Sequence, residues 1–204
     1  MARTSNSFGR GKSSKAPQPT VLVICEDLKS GKKYIEDAAF NYRVRLTVEI
    51  VHIGKTDPKN IVIEGQRRLM KYDRVFCVLD RDSHASWDEA HRMAAKTPKL
   101  EIVATYPCFE YWLILHFRNN RKPYVREGNR SPGDCCVADL RQCESMEQYA
   151  KGKDDRVFDR LLNRLPGAKS NAAAVLSQSE KDGEKNPSTQ MHLLLGYLEG
   201  LEAE

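Results

Sequence analysis

The sequence predicts an α/β fold, a mostly parallel sheet with helices on both faces, continued by a C-terminal helical extension. Three observations predict it. Four apolar runs, "VLVIC" (21–25), "RLTVEIVHIG" (45–54), "RVFCVLD" (74–80) and "KLEIVATY" (99–106), are separated by segments of helical length. Parallel neighbours require crossovers of that kind. Two of the runs end on carboxylates, at Glu26-Asp27 and at Asp80-Arg81-Asp82. Beyond Arg118 the strand-like runs stop and helical periodicity takes over.

Taken in order, "VLVIC" is continuous and apolar, as expected of a strand covered on both faces. A helix follows across "GKKYIEDAAFNY", then the second strand, closed by Gly54. In "TDPKNIVIEGQRRLMKY", Asp57 is placed to cap a helix and Pro58 to occupy its first position. Ile61, Val62, Leu69 and Met70 then fall at helical spacing. After the third strand, "SWDEAHRMAAK" sets Ser86 and Glu89 in a capping-box arrangement, with Trp87, Ala90 and Ala94 as the apolar stripe. The fourth strand leads into a strongly apolar helix expected from Pro107, "PCFEYWLILHFR". Four further helices are expected over "VADLRQCESMEQYA", "RVFDRLLNRL", "GAKSNAAAVLSQSE" and "STQMHLLLGYLEGL", the last capped by Ser188. This organisation divides the chain into a basic disordered tail (1–18), an α/β domain (19–118), and a basic loop with a helical extension packed on the sheet (119–204).

No apolar run approaches the roughly 20 residues that span a bilayer, and the N-terminal stretch lacks the apolar segment of a secretory signal. A cytoplasmic protein is expected. The net charge of +5 is mostly the tail, where Arg3, Arg10, Lys12 and Lys15 are unopposed by any acid. The strip "RNNRKPYVREGNR" carries Arg118, Arg121, Lys122, Arg126 and Arg130 against Glu127 alone, a pattern suited to gripping phosphates. Cys135, Cys136 and Cys143 match no common zinc module, and the six cysteines contain no C-x-x-C pair. There is no Walker A motif, so any ATP hydrolysis must come from another chain.

In an open parallel sheet, ligands collect beyond the carboxyl ends of the strands. Glu26 closes the first strand, and Asp80 with Asp82 closes the third, so three carboxylates fall on one rim. They repel one another unless a cation sits among them, and hard oxygen ligands select Mg²⁺ or Mn²⁺. Alternation along D-x-D turns both aspartates to one side and Arg81 to the other. Lys29, Lys32 and Lys33, at the start of the first helix, are placed to meet phosphate. His84 is a candidate to position a water or move a proton. Glu110 falls inside an apolar helix, where a carboxylate needs a partner.

"VLVICE" followed two strands later by "VFCVLDRD" resembles the Toprim domain, whose motif is a glutamate after the first strand and D-x-D after the third. "YPCFEYWLILHF" and "NPSTQMHLLLGYL" resemble, more narrowly, the RloB-like proteins, a Toprim-containing family of restriction and phage-defence loci. The resemblance covers roughly residues 20 to 200. It implies a Mg²⁺- or Mn²⁺-dependent nuclease acting on DNA or RNA, with Glu26, Asp80 and Asp82 as catalytic metal ligands and Glu110 as a further one. An AAA- or ABC-type ATPase partner is implied as well; the apolar run lengths give no membrane association, and the residues leave monomer and homo-oligomer open. One departure stands out. Family members read E-G-E-K-T-E where this chain has "EDLKSG", so Leu28 and Gly31 replace further acids and a second metal would depend on Asp27. That departure suits an alternative, a catalytically reduced subunit that binds nucleic acid or docks on an ATPase. Nucleotidyl or phosphoryl transfer to a small molecule would use the same carboxylates.

Overall fold

The first strand, β1 (Val21–Cys25), is buried along its whole length and lies between two parallel neighbours. A computed structural model describes residues 19–45, 47–81 and 84–201. The tail expected at 1–18, and Asp82 of the D-x-D pair, lie outside the described residues. From β1 the chain runs through α1 (Ser30–Asn41), β2 (Val48–Val51), α2 (Pro58–Arg68), β3 (Arg74–Asp80), α3 (Trp87–Ala95) and β4 (Leu100–Tyr106). The sheet order is β2-β1-β3-β4-β5, parallel through β4. A two-residue strand, β5 (Ser188–Thr189), pairs antiparallel at the edge.

Alternation along β3 sorts the two faces. Phe76 and Val78 join the core built with α1, whereas Val75, Cys77 and Leu79 face Ile61 and Val62 of α2 and Trp87, Ala90 and Ala94 of α3. The α1 side also receives the downstream elements: α4 (Glu110–Ile114), α5 (Pro132–Leu140), α6 (Val157–Leu161), α7 (Leu165–Asp182) and α8 (Met191–Gly200). The C-terminal helices thus share one core with the α/β elements. Among the described residues, no helix is long and apolar enough to cross a membrane.

Several local expectations change. Helix α2 stops at Arg68 and continues as a 3₁₀ turn. There half-buried Leu69 still packs against the core beside Ile61 and Val62, whereas Met70 is 95% exposed instead of on the apolar stripe. Asp57 caps α2 as expected, accepting from the Asn60 amide at 3.1 Å. Ser86, however, donates its hydroxyl to Asp57 at 2.6 Å and makes no capping bond to α3. The capping box occurs instead at α5, where Ser131 and Asp134 bond each other's backbone amides at 3.1 and 2.9 Å. The helix expected from Pro107 is five residues long and begins at Glu110. Ser188 does not cap α8: it pairs with Tyr106 in β5, and its hydroxyl donates to the Lys185 carbonyl at 2.7 Å.

Candidate functional site

At the carboxyl end of the sheet, β1 and β3 stand side by side with Cys25 in register with Val78. One residue further, the Glu26 amide donates to the Val78 carbonyl at 3.0 Å, and the Asp80 amide donates back to Glu26 Oε2, also at 3.0 Å. The side chain of one strand end therefore fixes the backbone of the next. His84 Nε2 lies 3.5 Å from Glu26 Oε1. Because residues of β3 alternate, Asp80 falls on the α1 and α4 side, and Arg81 on the other, where its guanidinium lies 4.8 Å from the Trp87 ring centroid.

Glu110 enters the same site from the first turn of α4. It has no solvent exposure, and its two oxygens are separately engaged. The Tyr149 hydroxyl donates to Oε1 at 2.9 Å, and Lys151 Nζ lies 3.3 Å from Oε2. Both partners come from the loop between α5 and α6. That loop is tied to α1 through the Gly152 amide, which donates to Ser30 Oγ at 2.9 Å. Burial holds the Asp80 carboxyl well above the usual carboxylate range; Lys151 opposes the shift, while the charges of Glu110 and Glu26 add to it. A cleft of about 860 Å³ opens beside these groups, with Glu26, Asp80 and Lys151 on its walls and Arg81 and Arg126 also lining it.

Among the described residues, no three His, Cys, Asp or Glu side chains stand at the spacing of a metal site. The donor chemistry nonetheless suits a hard divalent ion. Glu26, Asp80 and Glu110 are all carboxylates, and Asp80 carries the mutual repulsion that such an ion relieves. Asp27 does not have the freedom the sequence suggested, since its two oxygens accept from the Lys29 and Gly31 amides at 3.1 and 2.7 Å and so anchor the start of α1. Cys143 sits against Arg118, whose Nη1 is 3.5 Å from its sulfur. Cys136 is buried in the core.

The expected phosphate-binding residues separate into two groups. Lys32 and Lys33 pair with Glu36 and Asp37 one turn along α1, and the Lys29 stem lies against Gly152. Arg118 pairs with Asp139 at 2.5 Å, and Arg130 with Glu127 at 2.9 Å. Arg121 clamps the segment before β5, donating to the Glu184 and Pro187 carbonyls at 3.2 and 3.0 Å and to Asp182 at 2.8 Å. Lys122 lines a separate hollow beside Tyr124. Of the strip, Arg126 is the residue brought to the carboxylate cleft. Tyr149 and Lys151 escaped the sequence reading, because neither belongs to a motif and Lys151 lies 41 residues beyond its partner.

The most specific sequence segments prove to build the site's frame. In P-C-F-E-x-W-L-x-L-H-F, Glu110 enters the cluster while Trp112, Leu113, Leu115 and His116 are buried. In N-P-S-T, Thr189 meets Thr105 at 2.8 Å between hydroxyl oxygens, and the Asn186 side chain bonds the Tyr124 backbone. No curated protein and no solved structure matches the chain. The family model described as RloB-like protein matches residues 21–198, and the chain belongs to the RloB-like family.

Proposed function

We propose that this RloB-like protein is a divalent-metal-dependent nuclease of the Toprim type, hydrolysing phosphodiesters of DNA or RNA. The observation that carries the reading is the junction of Glu26 and Asp80, two carboxylate residues at the ends of adjacent parallel strands, joined by a 3.0 Å hydrogen bond beside a cleft that also holds Lys151 and Arg126. Glu26 and Asp80, with Asp82 two residues on in the sequence, would hold Mg²⁺ or Mn²⁺, and Glu110 is a further candidate ligand. Such an ion, when bound, stabilises charge on a phosphate oxygen and lowers the pKa of an attacking water.

The chain's own side chains have separate tasks in this reading. Arg126 and Lys151 attract the anionic backbone into the cleft. His84 Nε2, 3.5 Å from Glu26, is placed to accept or return a proton at the rim. The buried bond from Tyr149 to Glu110 holds the loop that carries Lys151 in place behind the cleft. Resemblance to proteins of phage-defence loci supports a role as effector, alongside an AAA- or ABC-type ATPase.

A second reading, a catalytically reduced subunit that binds nucleic acid or docks on an ATPase, is favoured by the engagement of both Asp27 oxygens with backbone amides. Incubating the chain with Mg²⁺ or Mn²⁺ and single-stranded DNA, duplex DNA or RNA, alone and with a candidate partner ATPase, decides between them. Cleavage by wild type that Glu26→Ala abolishes is the expected result. Cleavage by the assembled system that survives Glu26→Ala contradicts the nuclease site and leaves the docking reading.

A further inference from the structure

Lys151 reaches the buried Glu110 carboxylate while lining the cleft that also holds Glu26 and Asp80. Glu110 is fully buried, and an isolated carboxylate there would be costly unless paired. The chain supplies the pairing from a single loop, with Tyr149 on one oxygen and the Lys151 ammonium 3.3 Å from the other. The loop is not loosely placed. Gly152, next in sequence, has φ of 72°, bonds Ser30 through its amide, and lies against the Lys29 stem. Lys151 also lines the same cleft as Glu26 and Asp80, and its charge acts on Asp80 as well as on Glu110.

We propose that Lys151 is a tethered counter-ion of the carboxylate cluster and that a divalent cation competes with it for the same oxygens. The inference rests on the reading that these carboxylates hold Mg²⁺ or Mn²⁺. A magnesium ion requires oxygen ligands at about 2.0–2.1 Å. An ammonium already seated 3.3 Å from Glu110 would repel it across the low-dielectric cleft. Filling the site therefore swings the Lys151 side chain out, where 47% of its surface is already open to solvent. Its charge then faces the mouth, available to a phosphodiester. The metal-free cluster stays folded because the lysine balances it, and the lysine sets the cation concentration at which the site fills.

Two measurements on the full chain test this. In chelator, thermal unfolding of Lys151→Met should show a lower Tm than wild type, and adding Glu110→Gln should restore it, since removing both charges leaves nothing unpaired. In calorimetric titrations with MnCl₂ and MgCl₂, Lys151→Met should bind about tenfold more tightly than wild type, an ordinary size for coupling between ligands of one site. Lys151→Arg, which keeps the charge, should bind as wild type does. Equal or weaker binding by Lys151→Met overturns the competition. If that variant instead loses only affinity for a DNA oligonucleotide, Lys151 is a substrate contact and the proposal is wrong. Failure here is separable from failure of the nuclease reading, which is scored on wild type and Glu26→Ala cleavage.

Discussion

The backbone amide of Asp80 donates to the side chain of Glu26 at 3.0 Å, so the end of β3 is held by the carboxylate that closes β1. Glu26 thus serves structure as well as the metal binding proposed for it, and the two duties separate by substitution. Glutamine keeps an acceptor for the Asp80 amide, whereas alanine leaves that amide without it. Glu26→Ala is expected to cost about 1–3 kcal/mol, the usual range for losing a hydrogen bond to a charged group. That corresponds to a Tm lower by several degrees in a chain of this size, with Glu26→Gln close to wild type. Thermal denaturation of both variants in chelator checks the difference. Equal destabilisation by the two would contradict the bond's role.

A second prediction concerns His116, buried in the α1-side core. Its Nδ1 lies 3.1 Å from the Trp112 carbonyl and its Nε2 3.1 Å from the Tyr34 hydroxyl. Nδ1 therefore carries the proton, and the neutral ring accepts from Tyr34. Burial lowers its pKa from 6.5 to about 4. The sign follows directly: the folded pKa is depressed, so the stabilisation is complete above pH 6.5 and is lost as pH falls toward 4, where the unfolded chain binds the extra proton. The loss approaches about 3 kcal/mol for a shift of this size. Urea unfolding at several pH values should show a shallower decline for His116→Gln than for wild type across that window.

Arg121 and Arg126 stand five residues apart in one basic strip, yet they should behave oppositely. Arg121 bonds the Glu184 and Pro187 carbonyls and Asp182, fastening the segment that leads into β5. Arg121→Ala should therefore lower stability by about 1–3 kcal/mol and leave nucleic-acid affinity unchanged. Arg126 lines the cleft, and Arg126→Ala should preserve stability while weakening binding and reducing its salt slope by about one. Binding isotherms at a series of salt concentrations, with melts of the same preparations, separate the two.

The rim was legible in sequence because it depends on rules of short range. An apolar run ending in acid marks a strand end, and period-two alternation put Arg81 opposite Asp80, where the Trp87 ring now receives it. Asp57 and Pro58 likewise announced α2. What escaped depends on distant pairing. Glu110 demanded a partner on energetic grounds, but nothing in its neighbourhood named Lys151, which approaches only because the loop after α5 folds back over α1. Strand β5 was read as a helix start, since two residues carry no alternation and the edge of β4 fixes them. The strip from Arg118 to Arg130 looked uniform by charge. Its distant partners Asp139 and Asp182 became visible only in three dimensions.

The central claim is that Glu26 and Asp80 form a cation site, and calorimetric titration of Mn²⁺ and Mg²⁺ into wild type and Asp80→Asn tests it most directly. Asparagine keeps the shape and the backbone bond to Glu26 while removing one charged ligand. Saturable binding by wild type, with binding by Asp80→Asn much weaker or undetectable and its fold unchanged, is the predicted result. Equal binding by the two proteins, or none by wild type, would contradict it.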